Sequence, residues 1–259
     1  MVSMSKNLFV TLCDSNFLNH SKALLSGLVN RCKWDGDIAI LCDNIDDDRL
    51  TDFKKKGIII IKNPPLFEYD LCVKTFEKWG NIVFNKYYLF GDYFKKWDKI
   101  IYMDVDFVMH ESINNLLNLG GINMPSDFTS VSINFNSYKH PNEYAELAEA
   151  YDMKHPNFNV GLMVIDTKQI CDDSLISHMV SLTKKNFKIL QMPEQAIINM
   201  VFKGRINIIP AFYASANIFC YKKIVAHHCW GVNKQWDKDS ILYDTYRKDL
   251  AEFDLLKVK

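Results

Sequence analysis

Ile100, Ile101, Tyr102 and Met103 follow one another without a charge and run straight into Asp104, Val105 and Asp106. A strand whose successive side chains are all apolar has both faces covered, so it belongs inside a layered sheet of the parallel kind. Leu8–Cys13, Ile38–Cys42 and Gly57–Ile61 are three more such runs. Helical stretches separate them. After Asn19, apolar residues at 24, 25, 28, 29 and 32 fit one helical face. A short helix running from Asp46–Asp48 to Lys54–Lys56 is acidic at its start and basic at its end, as the helix dipole favours. Val83, Phe84, Tyr87, Tyr88, Gly91 and Phe94 predict another helix just before the Ile100 strand. The alternation predicts an α/β, Rossmann-like fold, with a mostly parallel central sheet flanked by helices.

Beyond Asp106 the pattern loosens. Strands are predicted over Phe128–Ile133, Phe158–Ile165, Ile206–Ile209 and Ile224–His228, and helices over Asn142–Tyr151 and Pro193–Phe202. Ser240–Leu256 predicts an amphipathic C-terminal helix. Pro193 suits a first helical turn, and Gly204 can close that helix. No repeat, low-complexity tract or flexible linker interrupts the 259 residues, so a single domain is expected.

Lys+Arg and Asp+Glu both number 31, which leaves no basic field for nucleic acid or an anionic membrane; anion recognition must be local. The seven cysteines, at 13, 32, 42, 72, 171, 220 and 229, form no CxxC pair and no zinc spacing. Their odd number predicts reduced thiols in a cytosol-like compartment. LFVTLC is too short for a secretion signal, and no apolar stretch approaches the roughly 20 residues of a membrane span. The expectation is a soluble, cytoplasmic protein.

Paired carboxylates at the end of a buried strand can hold a hard divalent cation and, through it, a phosphate. On a regular strand Asp104 and Asp106 would share one face, with Val105 on the other; they could instead end the strand or cap Ser112–Leu119. AHHCWGVNKQW, from Ala226 to Trp236, gathers histidine, glycine and lysine in one loop after a strand. Imidazole can join two carboxylates on Mn(II), Gly231 lets backbone approach a phosphate, and Lys234 can neutralise it. His227 and His228 face opposite sides, and register favours His228 for the cation. A histidine-rich strand end anchored by Trp230 and Trp236 is the plainer alternative. The amides of Asn157 and Asn159 suit sugar hydroxyls and Gly161 permits close approach, although asparagine is also a turn former. Glu194 and Gln195 sit at a helix start, where capping is the ordinary role. Lys86 could reach a phosphate from its helix or lie solvated at the surface.

In this order, FVTLC from Phe9, Lys86 ahead of YMDVD, FNVG from Phe158, EQAIIN from Glu194 and HCWGVNKQW from His228 resemble glycosyltransferase family 8. That family is the glycogenin and bacterial lipopolysaccharide galactosyltransferase group, and the likeness spans Phe9–Trp236. The resemblance implies one GT-A domain over residues 1–259, with 1–106 as nucleotide-binding half, 107–236 as sugar and acceptor half and 237–259 as C-terminal helix. It implies a retaining, Mn(II)-dependent hexosyltransferase, with Mg(II) as substitute, moving glucose or galactose from a UDP-sugar to a hydroxyl of a glycan or protein. Self-association as a homodimer is common in the group. Asp104, Asp106 and His228 would ligate the metal, and Leu12, Asn16 and the Asp104-Val105-Asp106 segment would hold uridine and ribose. Gly231 and Lys234 match the diphosphate-binding residues, Asn159 and Gly161 those at the donor sugar. Gln195, Glu194 and Lys86 would form the catalytic set, with Gln195 beside the anomeric carbon.

Three positions depart from the family's motifs: Val160 stands where Ser or Ala is common, Glu194 replaces an Asp that binds sugar hydroxyls, and Gln235 replaces the proline of HxxGxxKPW. Two rival readings remain open from the residues alone. One is a catalytically degenerate UDP-sugar-binding scaffold. The other is a metal-dependent phosphohydrolase, whose aspartates usually lie on the first strand.

Overall fold

The apolar runs form a sheet. β1 (Asn7–Cys13), β2 (Asp37–Cys42), β3 (Ile59–Lys62) and β4 (Lys99–Met103) lie side by side in the order β3-β2-β1-β4, all parallel. In this computed structural model, residues 6–68, 80–216, 223–231 and 233–256 are described. Alternate β1 side chains enter two cores. Phe9 and Cys13 pack with Leu24, Leu25 and Leu28 of the helix Leu18–Asn30, while Leu8, Val10 and Leu12 pack with Phe84 and Tyr87 on the other face. That two-sided burial is why these strands read as unbroken apolar runs.

Six further strands follow: β5 (Phe107–Met109), β6 (Ile122–Ser130), β7 (Pro156–Phe158), β8 (Leu162–Asp166), β9 (Ile206–Ile209) and β10 (Ala226–His228). The sheet continues from β4 through antiparallel β8 to β6, which pairs antiparallel with β7 and parallel with β9. β5 and β10 form a separate antiparallel pair that sets His228 opposite Phe107. Among the described residues no helix is long and apolar enough to cross a membrane.

Several elements differ from expectation. The helix before β4 is two 3₁₀ stretches, Asn81–Phe90 and Asp92–Lys96, divided at Gly91. β-branched and aromatic side chains crowd this segment and lose rotamer freedom in an α-helix. The strand expected over Phe128–Ile133 starts earlier, at Ile122, and gives way at Val131 to a 3₁₀ turn. Pro125 and Asp127 read as breakers, yet pairing with β9 up to Pro125 and with β7 at Ser126 and Ser130 carries the strand through them. Phe158–Ile165 is two strands, because Asn159 Oδ1 accepts from Gly161 N at 2.9 Å and folds the chain between them. The helix Asp173–Asn186 has no counterpart among the expected elements; its buried apolar side chains reduce to Met179 and Leu182, too narrow a stripe to stand out. Pro193–Val201 does form a helix with proline in its first turn, closed by Gly204 at φ +72°. The C-terminal helix is shorter than expected, Tyr243–Glu252.

Candidate active site

β4 ends at Met103, and Asp104 N donates to Gly161 O at 2.9 Å, so the two aspartates sit in a turn leading to β5. They converge all the same: ligand atoms of Asp104, Asp106 and His228 all lie within 4.8 Å of one another. His228 is oriented by stacking on Phe107, with ring centroids 4.3 Å apart. Its Nε2 is 3.3 Å from Asp106 Oδ1. His227 turns the other way and pairs with His110, Nδ1 to Nε2 at 2.7 Å. Burial pushes the Asp106 carboxyl up, but His228 and Lys234 outweigh it and hold the group well below the usual carboxylate range.

Asp106 Oδ1 is buried and, among the described residues, has no aligned hydrogen-bond partner, a position that suits a ligand oxygen. Two carboxylates and one imidazole form a donor set for a hard divalent ion that tolerates nitrogen, so the residues fit Mn(II) or Mg(II). Gly161 makes room for the imidazole: a Cβ there would collide with His228 Cε1. Gly161→Ala should therefore displace His228 and weaken Mn(II) binding by about 10–100-fold, the usual effect of disturbing a ligand's support. Titration followed by electron paramagnetic resonance checks this, and unchanged affinity would count against His228 as a ligand.

Lys86 is not a surface lysine. It is 3% exposed, with Nζ 3.1 Å from Asp104 Oδ1 and 3.0 Å from Glu194 Oε1. Burial pulls its ammonium toward neutrality, but the carboxylates of Asp104 and Glu194 outweigh that and keep it protonated. Glu194 leaves capping aside: the helix Pro193–Val201 starts at Met192 without a side-chain cap, and Glu194 reaches Lys86 instead. Tyr102 OH donates to Asp104 from below.

Gln195 is held by a buried amide network. Its Nε2 donates to Asp127 Oδ2 at 3.1 Å and Asn134 Oδ1 at 3.2 Å, which leaves Oε1 facing Val160 N at 3.4 Å. Asn157, fully buried, donates to the same Asp127 oxygen at 3.0 Å, so it serves this network and not the cleft. Asp127 was invisible as a site residue because the strand carrying it was expected to begin one position later, at Phe128.

Lys86, Asp104, Asp106, Asn159, Gly161 and Glu194 line one cleft of about 370 Å³, together with Gln195, His228, Gly231 and Lys234. Asp127 and Trp230 line it too. A recess of about 230 Å³ adjoins it past His228, with Phe128 on its wall. Phe128 and Trp230 are 82% and 59% exposed, an aromatic lip on the opening. Leu12, Asn16 and Val105 lie outside the cleft lining. Leu12 packs in the core at the end of β1, Asn16 is exposed just beyond, and Val105 offers its carbonyl to Gln235 Nε2 at 3.1 Å.

The whole arrangement, a parallel half-sheet ending in two carboxylates beside an antiparallel extension, is the GT-A fold of solved glycosyltransferases. A crystal structure of an active-site mutant of LgtC superposes with TM-score 0.72 at 15% identity, covering 94% of this chain and 95% of that one. The glycosyltransferase GlyE of Streptococcus pneumoniae superposes with TM-score 0.63 at 15% identity, covering 96% of this chain and 63% of GlyE. The Glycosyl transferase family 8 pattern matches residues 9–240, and the chain belongs to that family. Lipopolysaccharide 1,2-glucosyltransferase of Escherichia coli K12 is 22% identical over 185 residues, 66% of this chain and 53% of that protein. A Haemophilus influenzae relative is 24% identical over 161 residues, 56% of this chain and 46% of its own length. The chain thus spans about half the length of the curated relatives it matches.

Proposed function

We propose that this glycosyltransferase is a retaining hexosyltransferase that uses a UDP-sugar, with Mn(II) or Mg(II), and passes the hexose to a hydroxyl acceptor on a glycan or protein. The observation that carries the reading is the convergence of Asp104, Asp106 and His228 in the cleft that also holds Lys86, Lys234 and Gln195. Held by the first three residues, the cation would neutralise charge developing on the diphosphate leaving group. Lys234, paired with Asp106, adds a second positive charge on that side. Lys86 stays protonated between Asp104 and Glu194 and can donate to a phosphate or sugar oxygen.

A neutral amide is a poor nucleophile, so Gln195 does not form a covalent intermediate. Its carbonyl, fixed by two acceptors on the amide nitrogen, stabilises positive charge at the anomeric carbon. The acceptor hydroxyl then attacks from the face the diphosphate leaves: the anomeric carbon–phosphate oxygen bond breaks, the new glycosidic bond forms, and the hydroxyl proton passes to UDP. Configuration is retained. Leu12, Asn16 and Val105 are assigned to the uridine, at the ends of the neighbouring strands β1 and β4. The seven cysteines, without a disulfide or zinc pattern, support a reducing, cytoplasmic setting. The glucosyl- and galactosyltransferase relatives by name support a hexose.

A panel of UDP-sugars with Mn(II), and with chelator, tests the proposal. Mn(II)-dependent release of UDP from UDP-glucose or UDP-galactose is the expected result. UDP binding without turnover would assign a scaffold, and hydrolysis of simple phosphate esters without uridine would assign a phosphohydrolase.

A further inference from the structure

We propose that Gln235 is a positioning residue whose side chain latches the 229–237 loop to the Asp104–Asp106 turn, so that Lys234 and the carboxylates act as one unit. The functional side of this inference rests on the cleft being a UDP-sugar site. Among the described residues three contacts join the two segments. Cys229 N donates to Asp106 O at 2.8 Å, Lys234 Nζ pairs with Asp106 Oδ2, and Gln235 Nε2 donates to Val105 O at 3.1 Å. The last contact grips the peptide plane between Val105 and Asp106. It thereby sets the direction in which the Asp106 side chain leaves the backbone.

Gln235 is 1% exposed and lies outside the cleft lining, so it acts through other groups. Its Oε1 is buried with no hydrogen-bond partner among the described residues. An apolar side chain of the same length would fill this space and remove the stranded Oε1 while giving up the bond to Val105 O, so the two costs offset and stability alone does not favour glutamine here. What glutamine supplies is the donor to Val105. The proline of the HxxGxxKPW pattern has no such donor.

The loop is fixed on its far side as well. Trp236 stacks on His20 with ring centroids 3.8 Å apart and planes at 24°, and lies edge-on to Phe17 and Tyr246. His20 Nδ1 is itself 2.9 Å from Tyr246 OH, which ties that clamp to the C-terminal helix. Asp237 closes the backbone around Lys234, accepting from Lys234 N at 2.7 Å and donating to its carbonyl at 3.0 Å. Among the described residues of the loop, those in the left-handed region, Gly231 at φ +81° and Asn233 at φ +62°, lie upstream of Lys234. The loop therefore bends before the lysine and is anchored after it.

Gln235→Met keeps the length and removes the donor. Hydrogen exchange of the ligand-free protein reads the latch directly: exchange should quicken in peptides covering 103–107 and 229–237 together, while the melting temperature stays close to wild type, because the lost bond to Val105 O is offset by removal of the stranded Oε1. Titration of UDP with Mn(II) reads the consequence, roughly fivefold weaker affinity and a matching rise in donor KM, the scale of one lost hydrogen bond, with kcat changed far less. Unchanged exchange in either segment overturns the latch. A melting temperature that falls in step with affinity also overturns it, because that marks a packing role. A wild-type protein that fails to bind UDP with Mn(II) would count against the UDP-sugar reading alone, since the exchange pattern still decides the latch.

Discussion

Asp106→Asn is expected to lower cation-dependent turnover by about a thousandfold or more while leaving the fold intact. The side chain keeps its shape but loses the charge that faces His228 on one oxygen and Lys234 on the other. Charge stabilisation by a bound metal is worth several kcal/mol in a transition state, and each ~1.4 kcal/mol is a factor of ten in rate. The same substitution carries a pH signature. The folded carboxyl lies below its unfolded value of about 3.9, so ionised Asp106 stabilises the fold above that pH and loses this contribution as pH falls toward the folded value. Wild type and variant should therefore differ most in melting temperature at neutral pH, and the gap should shrink on acidification below about pH 4. Circular dichroism and a UDP-release assay check both halves. Full activity in the variant would contradict the metal assignment.

The fold was most legible where both faces of a strand are buried. β1, β2 and β4 advertise themselves as apolar runs, and they pair in parallel as that pattern predicts. Elements held by pairing or by polar contacts were less so. β6 passes through Pro125 and Asp127 only because β9 and β7 flank it, and Asn159 breaks a run that looks continuous by bonding its own backbone. The site follows the same division. The convergence of Asp104, Asp106 and His228 is readable because chemistry restricts which residue types can ligate a cation. That Lys86 is buried between two carboxylates from distant segments, and that Gln195 takes its orientation from Asp127 and Asn134, depends on contacts 60 or more residues apart for Glu194, Asp127 and Asn134, which no local pattern encodes.

Lys86→Met is expected to destabilise the protein by about 3–5 kcal/mol, because removing one partner of a buried ion pair leaves the other uncompensated. Glu194 and Asp104 side chains are 12% and 28% exposed, so both carboxylates keep most of that penalty. For a chain of this size the loss corresponds to roughly 6–20 °C in melting temperature, read by calorimetry. The pH dependence has the opposite sign from that of Asp106. The folded Lys86 value is raised, so its stabilisation is fully present below the unfolded lysine value of about 10.4 and is lost only as pH rises above it; the cost of Lys86→Met should be flat across neutral pH. Removing the stranded charge as well, in Lys86→Met with Glu194→Gln, should recover part of the loss. Mn(II) should raise the melting temperature of Lys86→Met by more than it raises that of wild type, because a cation at Asp104 replaces the missing ammonium. Wild-type stability in the single variant, or no recovery in the double, would mean that Lys86 is not the counter-charge on which these two carboxylates depend.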